Sequence, residues 1–453
     1  MTSAPAPCPS SASSLRVRAI YFALILALCL PRLLLVWNGF VAPQRPLLTD
    51  STGYLELANS LRLEGRFHAS EHEESLRTPG YPAFVALVQA IFGERVLFVV
   101  LAQVLLTLLT AWLLYRAAHL LGGERAGLAA AWLYALSPNA LFWAGTIMTE
   151  TFFAFWLALA LAMLIDAVRR TSWRRGGVSG LALGLAVLTR PIGLYLIPLW
   201  AAGALVARWK SGAGSRRWLP AAAVLLAALM PVLAWQTRNL LVHESFRLTA
   251  SFRTVFIDYT AASTLGDALG ISRDEAATQL RQSSDAFAAA LDAVRRYPGS
   301  LVQVSLQGIA RTALGTEAGT WLGILSGQSY QPSGLLDALL RGDLKAAGEA
   351  IGTRLQASSD RLGTVLLPWG LLYSATVYLL SLRGFLRLRW VDPSPLRWVA
   401  VTVILSTAYL IVMPLTIGDA RFRVPVEPFL AILGGMAWIR PAPATHSLTG
   451  RQG

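Results

Sequence analysis

Long apolar runs recur along this chain, and they restrict its fold more than any other feature. The sequence has 453 residues, of which 55% are hydrophobic and 14% are charged, whereas soluble domains carry about 25% charged residues. Runs of roughly 18 or more apolar residues are long enough to cross the ~30 Å hydrocarbon core of a bilayer. Because the backbone must satisfy its own hydrogen bonds there, we expect an all-α integral membrane bundle of about ten transmembrane helices.

The apolar runs place the individual spans. The first resembles a signal peptide, but it is long and lacks a small-residue cleavage site, so we expect it to remain as an uncleaved span. The segment 79–92 is too short to cross and predicts a helix lying along the membrane surface. The predicted spans are 17–37, 95–117, 126–146, 150–168, 177–190, 191–208, 218–240, 362–385, 396–416 and 424–440.

Arginines in the short loops set the orientation. With a cytoplasmic N-terminus, the loops at 116–125, 169–175, 208–217 and 383–389 all lie inside and are rich in arginine, as the positive-inside rule requires. The stretch 177–208 is either one kinked helix or two short helices. We favour two, because they keep the basic loops inside and because the residue before a proline is pushed out of helical geometry.

These spans divide the chain into five regions. The outer segment is more polar than its neighbours and predicts amphipathic helices at Asp274–Gln282 and Asp285–Arg296. Its moderately apolar part, 300–325, is expected to lie on the outer surface or to dip into it. The regions are a disordered cytoplasmic tail (1–14), an N-terminal transmembrane catalytic module with a first outer loop at 38–94 (15–240), the outer, periplasmic helical segment (241–361), C-terminal transmembrane helices (362–440) and a cytoplasmic tail (441–453).

Charge and cysteine content exclude several other classes of protein. The net charge is +14, but the arginines cluster in short loops and do not form a basic patch interleaved with aromatic residues. Nucleic acid is therefore not an expected partner. Cys8 and Cys29 lie in a polar tail and an apolar helix, and they predict neither a disulfide nor a metal site. The histidines show no metal-ligand spacing.

A set of charged side chains converges on the outer face under this topology. Each one has a simpler interpretation: the acids could cap helix N-termini, and the arginines could be interfacial or snorkelling residues. Ionisable groups cost less at the membrane edge than at the centre of a spanning helix, so each residue alone is weak evidence. Their shared face is the stronger argument for function. The set comprises Asp50, Arg77, Glu150, Arg190, Arg421 and Arg423.

The order of these motifs resembles the integral-membrane C-type glycosyltransferases, a group that contains the protein O-mannosyltransferases and the lipid A aminoarabinose transferases. The resemblance covers most of residues 15–440 in motif order rather than close identity. Many relatives carry a second acid beside the loop aspartate, where this chain has Ser51, and this departure argues against a committed divalent metal. The motifs are Asp50-Ser-x-x-Tyr54, Arg77-x-Pro-Gly-Tyr-Pro, Ser137-Pro138 through Thr149-Glu150, Thr189-Arg190-Pro191 and Arg421-Phe-Arg-Val-Pro-Val-Glu-Pro428.

The resemblance implies a sugar donor linked through phosphate to a polyprenyl lipid, and an acceptor hydroxyl on a glycan, a glycolipid or a protein. Asp50 would be the general base, and direct displacement would invert the anomeric carbon. Guanidinium groups bind phosphate through paired hydrogen bonds. The resemblance therefore makes Arg190, Arg421, Arg423 and Arg77 the candidates for the donor phosphate. Glu150 would orient the acceptor or an arginine, and Tyr54 and Tyr81 would contact substrate.

Two other functions are compatible with the sequence, as is a purely structural scaffold, which would leave the charged residues of the outer face unexplained. A polymerase or ligase of lipid-linked envelope glycans also uses outer loops and arginines, but it would not need a carboxylate base in the first loop. A transporter would place its binding groups near the bilayer midplane on broken helices, as only Arg190-Pro191 suggests. The scarcity of lysine, found only at Lys210 and Lys345, and the alanine bias suggest a GC-rich bacterial source and hence the plasma membrane.

Overall fold

The computed structural model describes residues 11–48, 50–69, 76–210, 214, 216–316, 338–339, 342–349, 361–391 and 394–440. Within these ranges the chain is helical and contains no strand, which agrees with the predicted all-α class. The helices of the first half are α1 (Ser11–Val41), α2 (Ser51–Glu64), α3 (Gly80–Phe92), α4 (Val96–Gly122), α5 (Glu124–Ala135), α6 (Pro138–Trp143), α7 (Glu150–Arg170), α8 (Trp173–Thr189), α9 (Leu196–Lys210) and α10 (Leu219–His243).

Short helices of the outer segment follow, and long helices then return. They are α11 (Ser251–Val255), α12 (Ala262–Leu269), α13 (Arg273–Arg281), α14 (Ala286–Arg296), α15 (Pro298–Leu314), α16 (Arg361–Leu386), α17 (Ser394–Val412) and α18 (Glu427–Met436). A π-helical turn at Phe256–Ala261 joins α11 to α12, and 3₁₀ turns lie at Pro191–Tyr195, Leu388–Trp390, Leu415–Ile417 and Ala420–Val426.

Five helical segments of the described chain are long and apolar enough to cross a membrane, so the predicted count of about ten is not confirmed. The prediction that two helices meet at Arg190-Pro191 is confirmed, because Arg190 is extended between α8 and the turn that leads into α9. The five segments are Val96–Gly122, Glu150–Arg170, Pro191–Lys210, Leu219–His243 and Pro395–Val412.

Two predicted spans are not continuous helices. The span at 126–146 is wrong as drawn, because α5 ends at Ala135 and a new short helix begins at Pro138. Proline cannot continue the preceding helix, and the Ser137 hydroxyl accepts a hydrogen bond from the backbone N–H of Ala140, which caps the new one. The span at 424–440 is also shorter than predicted, since a 3₁₀ turn occupies Ala420–Val426 and α18 has 10 residues.

Glycines make the closest helix pairing of the N-terminal module. Gly176, Gly180 and Gly184 recur every four residues along α8, and a Cβ at any of them would collide with the backbone of α10. Small residues at this spacing let two backbones approach closely where burial of apolar surface cannot drive association. The close packing of α8 against α10 therefore holds α8, and with it the break at Arg190, at a fixed position.

Helix α7 separates two sets of charges. Glu150 begins the helix and Asp166 lies near its other end, roughly 24 Å away at 1.5 Å per residue. Asp166 is buried and forms ion pairs with the arginine side chains of three positions. Glu150 of the predicted site and arginines of two loops predicted to lie inside, 116–125 and 169–175, therefore occupy opposite ends of one membrane-spanning helix. The three partners are Arg116, Arg170 and Arg175.

The outer segment has a small core of its own, built from residues such as Ile257, Ala276 and Ala290. The predicted amphipathic helices are confirmed as α13 and α14. The Asp285 carboxylate accepts hydrogen bonds from the first backbone N–H groups of α14. The predicted piece 300–325 is helical to Leu314 within α15, and its part beyond residue 316 lies outside the described residues.

Candidate functional site

Hydrogen bonds to neighbouring elements hold the loop that carries Asp50. The Ser51 hydroxyl donates to the Ile147 carbonyl at 2.9 Å and accepts from the Leu48 backbone N–H at 2.8 Å. The Ile147 N–H in turn donates to the carbonyl of Pro46 at 2.9 Å. These contacts fasten the start of α2 to the segment that precedes Glu150, so the two acids of the site belong to one assembly.

Two arginines flank the Asp50 carboxylate. Arg77 Nη2 lies 3.2 Å from Oδ1, and Arg421 Nη1 lies 3.3 Å from Oδ2. Asp50 occupies the N-cap position of α2, but its side chain makes no capping hydrogen bond. The capping interpretation is therefore not supported. The side chain remains 35% exposed, so a ligand can reach it.

Glu150 and Arg190 form a second, deeper ion pair. Glu150 Oε1 lies 2.5 Å from Arg190 Nη1, and the Glu150 side chain is 1% exposed. Arg190 also donates to the Thr149 hydroxyl at 3.1 Å. Glu150 stands in the first turn of α7, where the helix dipole favours a negative charge. The break at Arg190-Pro191 brings the guanidinium to this helix start.

The Phe422 ring lies between the Glu150–Arg190 pair and the Asp50–Arg421 pair. The guanidinium carbons of Arg190 and Arg421 lie 5.3 Å and 5.0 Å from its centroid, within the range of cation–π attraction. We call the five charged residues, with Phe422, the outer charge cluster. Its members are Asp50, Arg77, Glu150, Arg190 and Arg421, and at neutral pH their three cations and two carboxylates leave one positive charge.

The electrostatics of the cluster favour the ionised forms of Asp50 and Arg421. Burial alone would raise the pKa of the Asp50 carboxyl, but Arg77 and Arg421 together hold that pKa below its usual value. Burial alone would lower the pKa of the Arg421 guanidinium, but Glu150, Asp419 and Asp50 raise it overall. The Nε of Arg421 makes no hydrogen bond to any described residue. Arg421 thus remains a cation with an uncommitted donor.

A close backbone contact fixes the position of Arg77. A Cβ on Gly80 would lie 2.7 Å from the Leu188 carbonyl oxygen and 2.9 Å from the Thr189 nitrogen. The Thr78 hydroxyl also donates to the carbonyl of Thr189 at 3.3 Å. The Arg77-Thr-Pro-Gly motif is therefore seated against the end of α8, beside Arg190.

Arg423 faces away from the outer charge cluster. Its side chain is 1% exposed and pairs with Glu427, which is fully buried, at 2.9 Å. It also donates to the Ser374 hydroxyl at 2.7 Å and to the Ala313 carbonyl at 3.2 Å. Tyr373 OH donates to the other Glu427 oxygen at 2.5 Å. The contacts give Arg423 a supporting position, and its predicted role in phosphate binding stays a prediction.

The two tyrosines named from the motifs are also buried. Arg77 Nη1 donates to Tyr54 OH at 3.0 Å, and the two tyrosine rings meet edge to face at 5.1 Å. Tyr81 is fully buried, and its OH donates to Gln103 Oε1 at 2.8 Å. These contacts support the cluster from beneath, while the predicted substrate contacts stay a prediction.

Sequence reasoning missed three contributors to the site. Gln103 lies inside the apolar run of α4 and donates to the carbonyls of Ala144 and Thr146 at 3.1 and 2.7 Å, which ties α4 to the segment that precedes Glu150. Thr149 and Phe422 stand beside charged residues that were singled out. A lone glutamine in a membrane-spanning helix was the available signal, because such polar groups need a partner.

No three His, Cys, Asp or Glu side chains in the described ranges are close enough to hold a metal ion. Metal independence stays a prediction that rests on Ser51 beside Asp50. Within the cluster, the chemistry available is that of a carboxylate and of guanidinium groups. Such a set can take up a proton and bind an anion at adjacent positions.

Part of this chain is similar to a known protein family. Residues 76–235 match the family described as dolichyl-phosphate-mannose-protein mannosyltransferase. The matched segment includes Arg77, Glu150 and Arg190, whereas Asp50 and Arg421 lie outside it. The match covers about a third of the chain, and it falls on the module that the spans had delimited.

One curated relative of this chain is the undecaprenyl phosphate-alpha-4-amino-4-deoxy-L-arabinose arabinosyl transferase of Pseudomonas aeruginosa. It is 32% identical over 200 residues, which are 42% of this chain and 35% of the relative. The chain therefore matches about a third of the length of the curated relatives. Together with the family match, this relative confirms the predicted resemblance to the C-type glycosyltransferases.

Among solved structures, the archaeal oligosaccharyltransferase AglB from Archaeoglobus fulgidus, in complex with an inhibitory peptide and a dolichol-phosphate, has a TM-score of 0.50. The alignment covers 92% of this chain and 50% of that chain, with 14% identity, so it shows the fold alone. ArnT from Cupriavidus metallidurans bound to undecaprenyl phosphate has 17% identity and a TM-score of 0.38, over 91% of this chain and 78% of that one. A score this low does not establish a common fold.

Proposed function

We propose that this protein is an inverting glycosyltransferase, since residues 76–235 match the dolichyl-phosphate-mannose-protein mannosyltransferase family. It moves a sugar from a polyprenyl-phosphate donor to an acceptor hydroxyl at the outer face of a bacterial plasma membrane. The observation that carries the proposal is the position of Asp50 between Arg77 and Arg421. A base and an anion-binding pair are thereby adjacent.

The excess positive charge of the cluster suits the donor phosphate. Arg421 and Arg77 are 29% and 19% exposed on their side chains, so both can exchange a contact with Asp50 for contacts with phosphate oxygens. Arginine is suited to this role, because its planar guanidinium binds phosphate through two parallel hydrogen bonds and stays charged. As the sugar departs, the same guanidinium groups stabilise the charge that develops on the lipid phosphate.

The transfer is a single displacement. The acceptor oxygen attacks the anomeric carbon, Asp50 takes the hydroxyl proton, and the bond from the anomeric carbon to the phosphate oxygen breaks. The bonding electrons leave with the lipid phosphate, so no second carboxyl is needed to protonate the leaving group, unlike in glycoside hydrolysis. Attack opposite the leaving oxygen inverts the anomeric configuration.

Donor binding also changes the basicity of Asp50. In the free protein Arg77 and Arg421 hold its pKa below the usual value, which makes it ionised but weakly basic. When a phosphate draws Arg421 away from Asp50, the carboxylate loses a neighbouring cation and its pKa rises. The base is therefore strengthened only when the donor is in place.

The deeper pairs keep this arrangement in position. Glu150 holds Arg190 at 2.5 Å, and the Arg190 guanidinium thereby lies over the Phe422 ring. Glu427 holds Arg423 within the loop that carries Arg421. We assign Glu150 and Arg423 to positioning, because both are almost fully buried and neither can touch the sugar without a rearrangement.

The purified protein, reconstituted in nanodiscs with an undecaprenyl-phosphate-linked sugar, tests the proposal through Asp50→Asn. A general base contributes about 10²–10⁴-fold to the rate, so the variant should lose that much transfer while keeping its melting temperature. Asp292→Asn, at an exposed acid that pairs with Arg296 in the outer segment, is the matched control and should transfer normally.

Two outcomes would contradict the proposal at different levels. Near-normal transfer by folded Asp50→Asn would remove the base assignment and would favour a polymerase or ligase. Envelope glycans and glycolipids from a deletion strain should lack one sugar in mass spectra. An unchanged profile would count against glycosyl transfer as a whole.

A further inference from the structure

A cavity of ≈ 490 Å³ lies in the outer segment, apart from the outer charge cluster. Helices α12, α13 and α15 form its walls, and the 3₁₀ turn at Leu415–Ile417 contributes Thr416 and Ile417. Its volume is within the range of about 300–1,000 Å³ that is typical of ligand sites. We call it the outer cavity.

Polar groups dominate its lining. Ser263, Asp267, Gln307 and Arg311 contribute to the walls, together with the start of α13. Pockets for drug-like ligands are mostly apolar with a few polar groups, and this cavity has the reverse character. Hydroxyl, amide, carboxylate and guanidinium groups together supply both donors and acceptors. A ligand rich in hydroxyl groups, each of which donates and accepts, matches such a lining.

The charges of the outer cavity are balanced, which distinguishes it from the phosphate site. Two arginines and two aspartates line it. Arg273 and Asp274 pair with each other at 2.8 Å, and Asp267 accepts from Gln303 at 3.2 Å. A balanced site has no net attraction for an anionic lipid phosphate. The donor headgroup therefore belongs in the outer charge cluster and a neutral ligand belongs here.

Gln307 points to a ligand independently of the cavity itself. It is 6% exposed, it lines the outer cavity, and its side-chain amide makes no hydrogen bond to a described residue. The amide opens onto the cavity and can both donate to and accept from a ligand hydroxyl. A bound hydroxyl group would satisfy it.

The outer cavity adjoins the loop that carries Arg421, a member of the outer charge cluster. Gly308 of α15 and Gly418 meet backbone to backbone, and a Cβ on either would overlap the other segment. The Thr416 hydroxyl also contacts the Thr260 hydroxyl at 3.1 Å. Ile417 precedes Arg421 by four residues, so their Cα atoms are at most about 14 Å apart. An oligosaccharide seated in the outer cavity can therefore extend toward Asp50.

We propose that the outer cavity binds the neutral glycan portion of the acceptor, whose free hydroxyl then reaches Asp50. This inference rests on the proposed function, and it selects a glycan over a peptide acceptor. A peptide would need apolar pockets for side chains or a strand edge for backbone pairing. The lining of the outer cavity is more polar than apolar, and the described chain contains no strand.

Saturation-transfer NMR on the full-length protein in nanodiscs tests binding without requiring turnover. The probes are maltotriose, mannotriose and chitotriose at millimolar concentration, with a serine-rich peptide as the alternative ligand. Ser263→Phe fills the outer cavity, and Gln307→Leu removes the unpartnered amide while keeping its shape. Val302→Phe, at a 58% exposed position of α15, is the control for added bulk. Melting temperatures establish that each variant is folded.

We expect at least one trisaccharide to give saturation transfer to the wild type, to Val302→Phe and to Asp50→Asn. The Ser263→Phe signal should vanish, and Gln307→Leu should raise the Kd about tenfold, the loss of one neutral hydrogen bond. Undecaprenyl phosphate should not displace the trisaccharide. Three results would each overturn the inference: no signal from any trisaccharide, a signal that survives Ser263→Phe, or a signal from the peptide alone. Because binding by Asp50→Asn is measured separately, failure here leaves the transfer proposal standing.

Discussion

Replacing Gly80 by alanine tests whether the close contact between the Arg77-Thr-Pro-Gly motif and the end of α8 sets the geometry of the site. The new Cβ would lie 2.7 Å from the Leu188 carbonyl oxygen, and the obstacle is backbone, which cannot rotate away. Restoring an ordinary contact of about 3.4 Å requires the motif and α8 to separate by about 0.7 Å. Arg77 lies three residues before the obstructed position and moves with it.

The expected magnitudes follow from this displacement. Overpacking of this kind costs typically about 1–3 kcal/mol, so the melting temperature should fall measurably. A misplacement of about 1 Å near reacting groups can cost about 10²-fold in rate, so a shift of about 0.7 Å should lower transfer between about 10- and 100-fold. The loss should exceed what reduced folding alone explains.

Gly177→Ala is the matched control. Gly177 lies in the same helix that Gly80 touches, and a Cβ there meets nothing within 4 Å. Alanine is favoured over glycine inside a helix by about 0.5–1 kcal/mol, so this variant should be as stable as the wild type or more stable. The measurements are differential scanning fluorimetry and initial rates of sugar transfer at saturating lipid donor. If Gly80→Ala matched Gly177→Ala in both, the close approach would not position Arg77.

Three further tests address the charges of the site. Glu427→Gln leaves the buried Arg423 guanidinium uncompensated and should lower the free energy of unfolding by roughly 3–5 kcal/mol; an unchanged melting temperature would exclude the pair as a stabilising contact. Asp50 has a depressed pKa, so its stabilisation is complete above its unfolded-state pKa and is lost as the pH falls through the folded-state value. Arg421→Gln should raise the folded-state pKa and move the acid limb of kcat/KM to higher pH, and coincident limbs would show that Arg421 does not act on Asp50. In a double-mutant cycle of Glu150→Gln and Arg190→Gln, we expect a coupling of about 0.5–3 kcal/mol in stability, whereas additive effects would argue against a direct pair.

Much of the architecture could be predicted, because hydropathy and proline act locally. The break between α8 and α9 follows from Arg190-Pro191, and the helices at α13 and α14 follow from capping residues and amphipathic spacing. The span predicted at 126–146 was wrong because a local signal was averaged out. Apolar composition continues through Ser137-Pro138, and a hydropathy window averages over a proline that ends the helix locally.

The candidate site was only partly predictable. Spacing along the chain singled out Asp50, Arg77, Glu150 and Arg190 as residues of one face, but it could not pair them. The division into an open group of Asp50 with two arginines and a buried Glu150–Arg190 pair depends on side-chain exposure, which motif order does not contain. Arg421 and Arg423 illustrate the limit, because they differ by two positions in one motif and point to different surroundings.

The amino-acid sequence by itself determined a helical membrane protein with acids and arginines gathered at one end. The length of the apolar runs and the charge of the loops suffice for this, because every segment of the chain meets the same bilayer. Only the tertiary structure decided that Asp50 lies between Arg77 and Arg421, that Arg423 supports the loop from within, and that a polar cavity adjoins that loop. Those outcomes depend on contacts between residues up to 371 positions apart. They are set by close packing at glycines such as Gly80 and Gly308, where the fit of one backbone against another selects the arrangement.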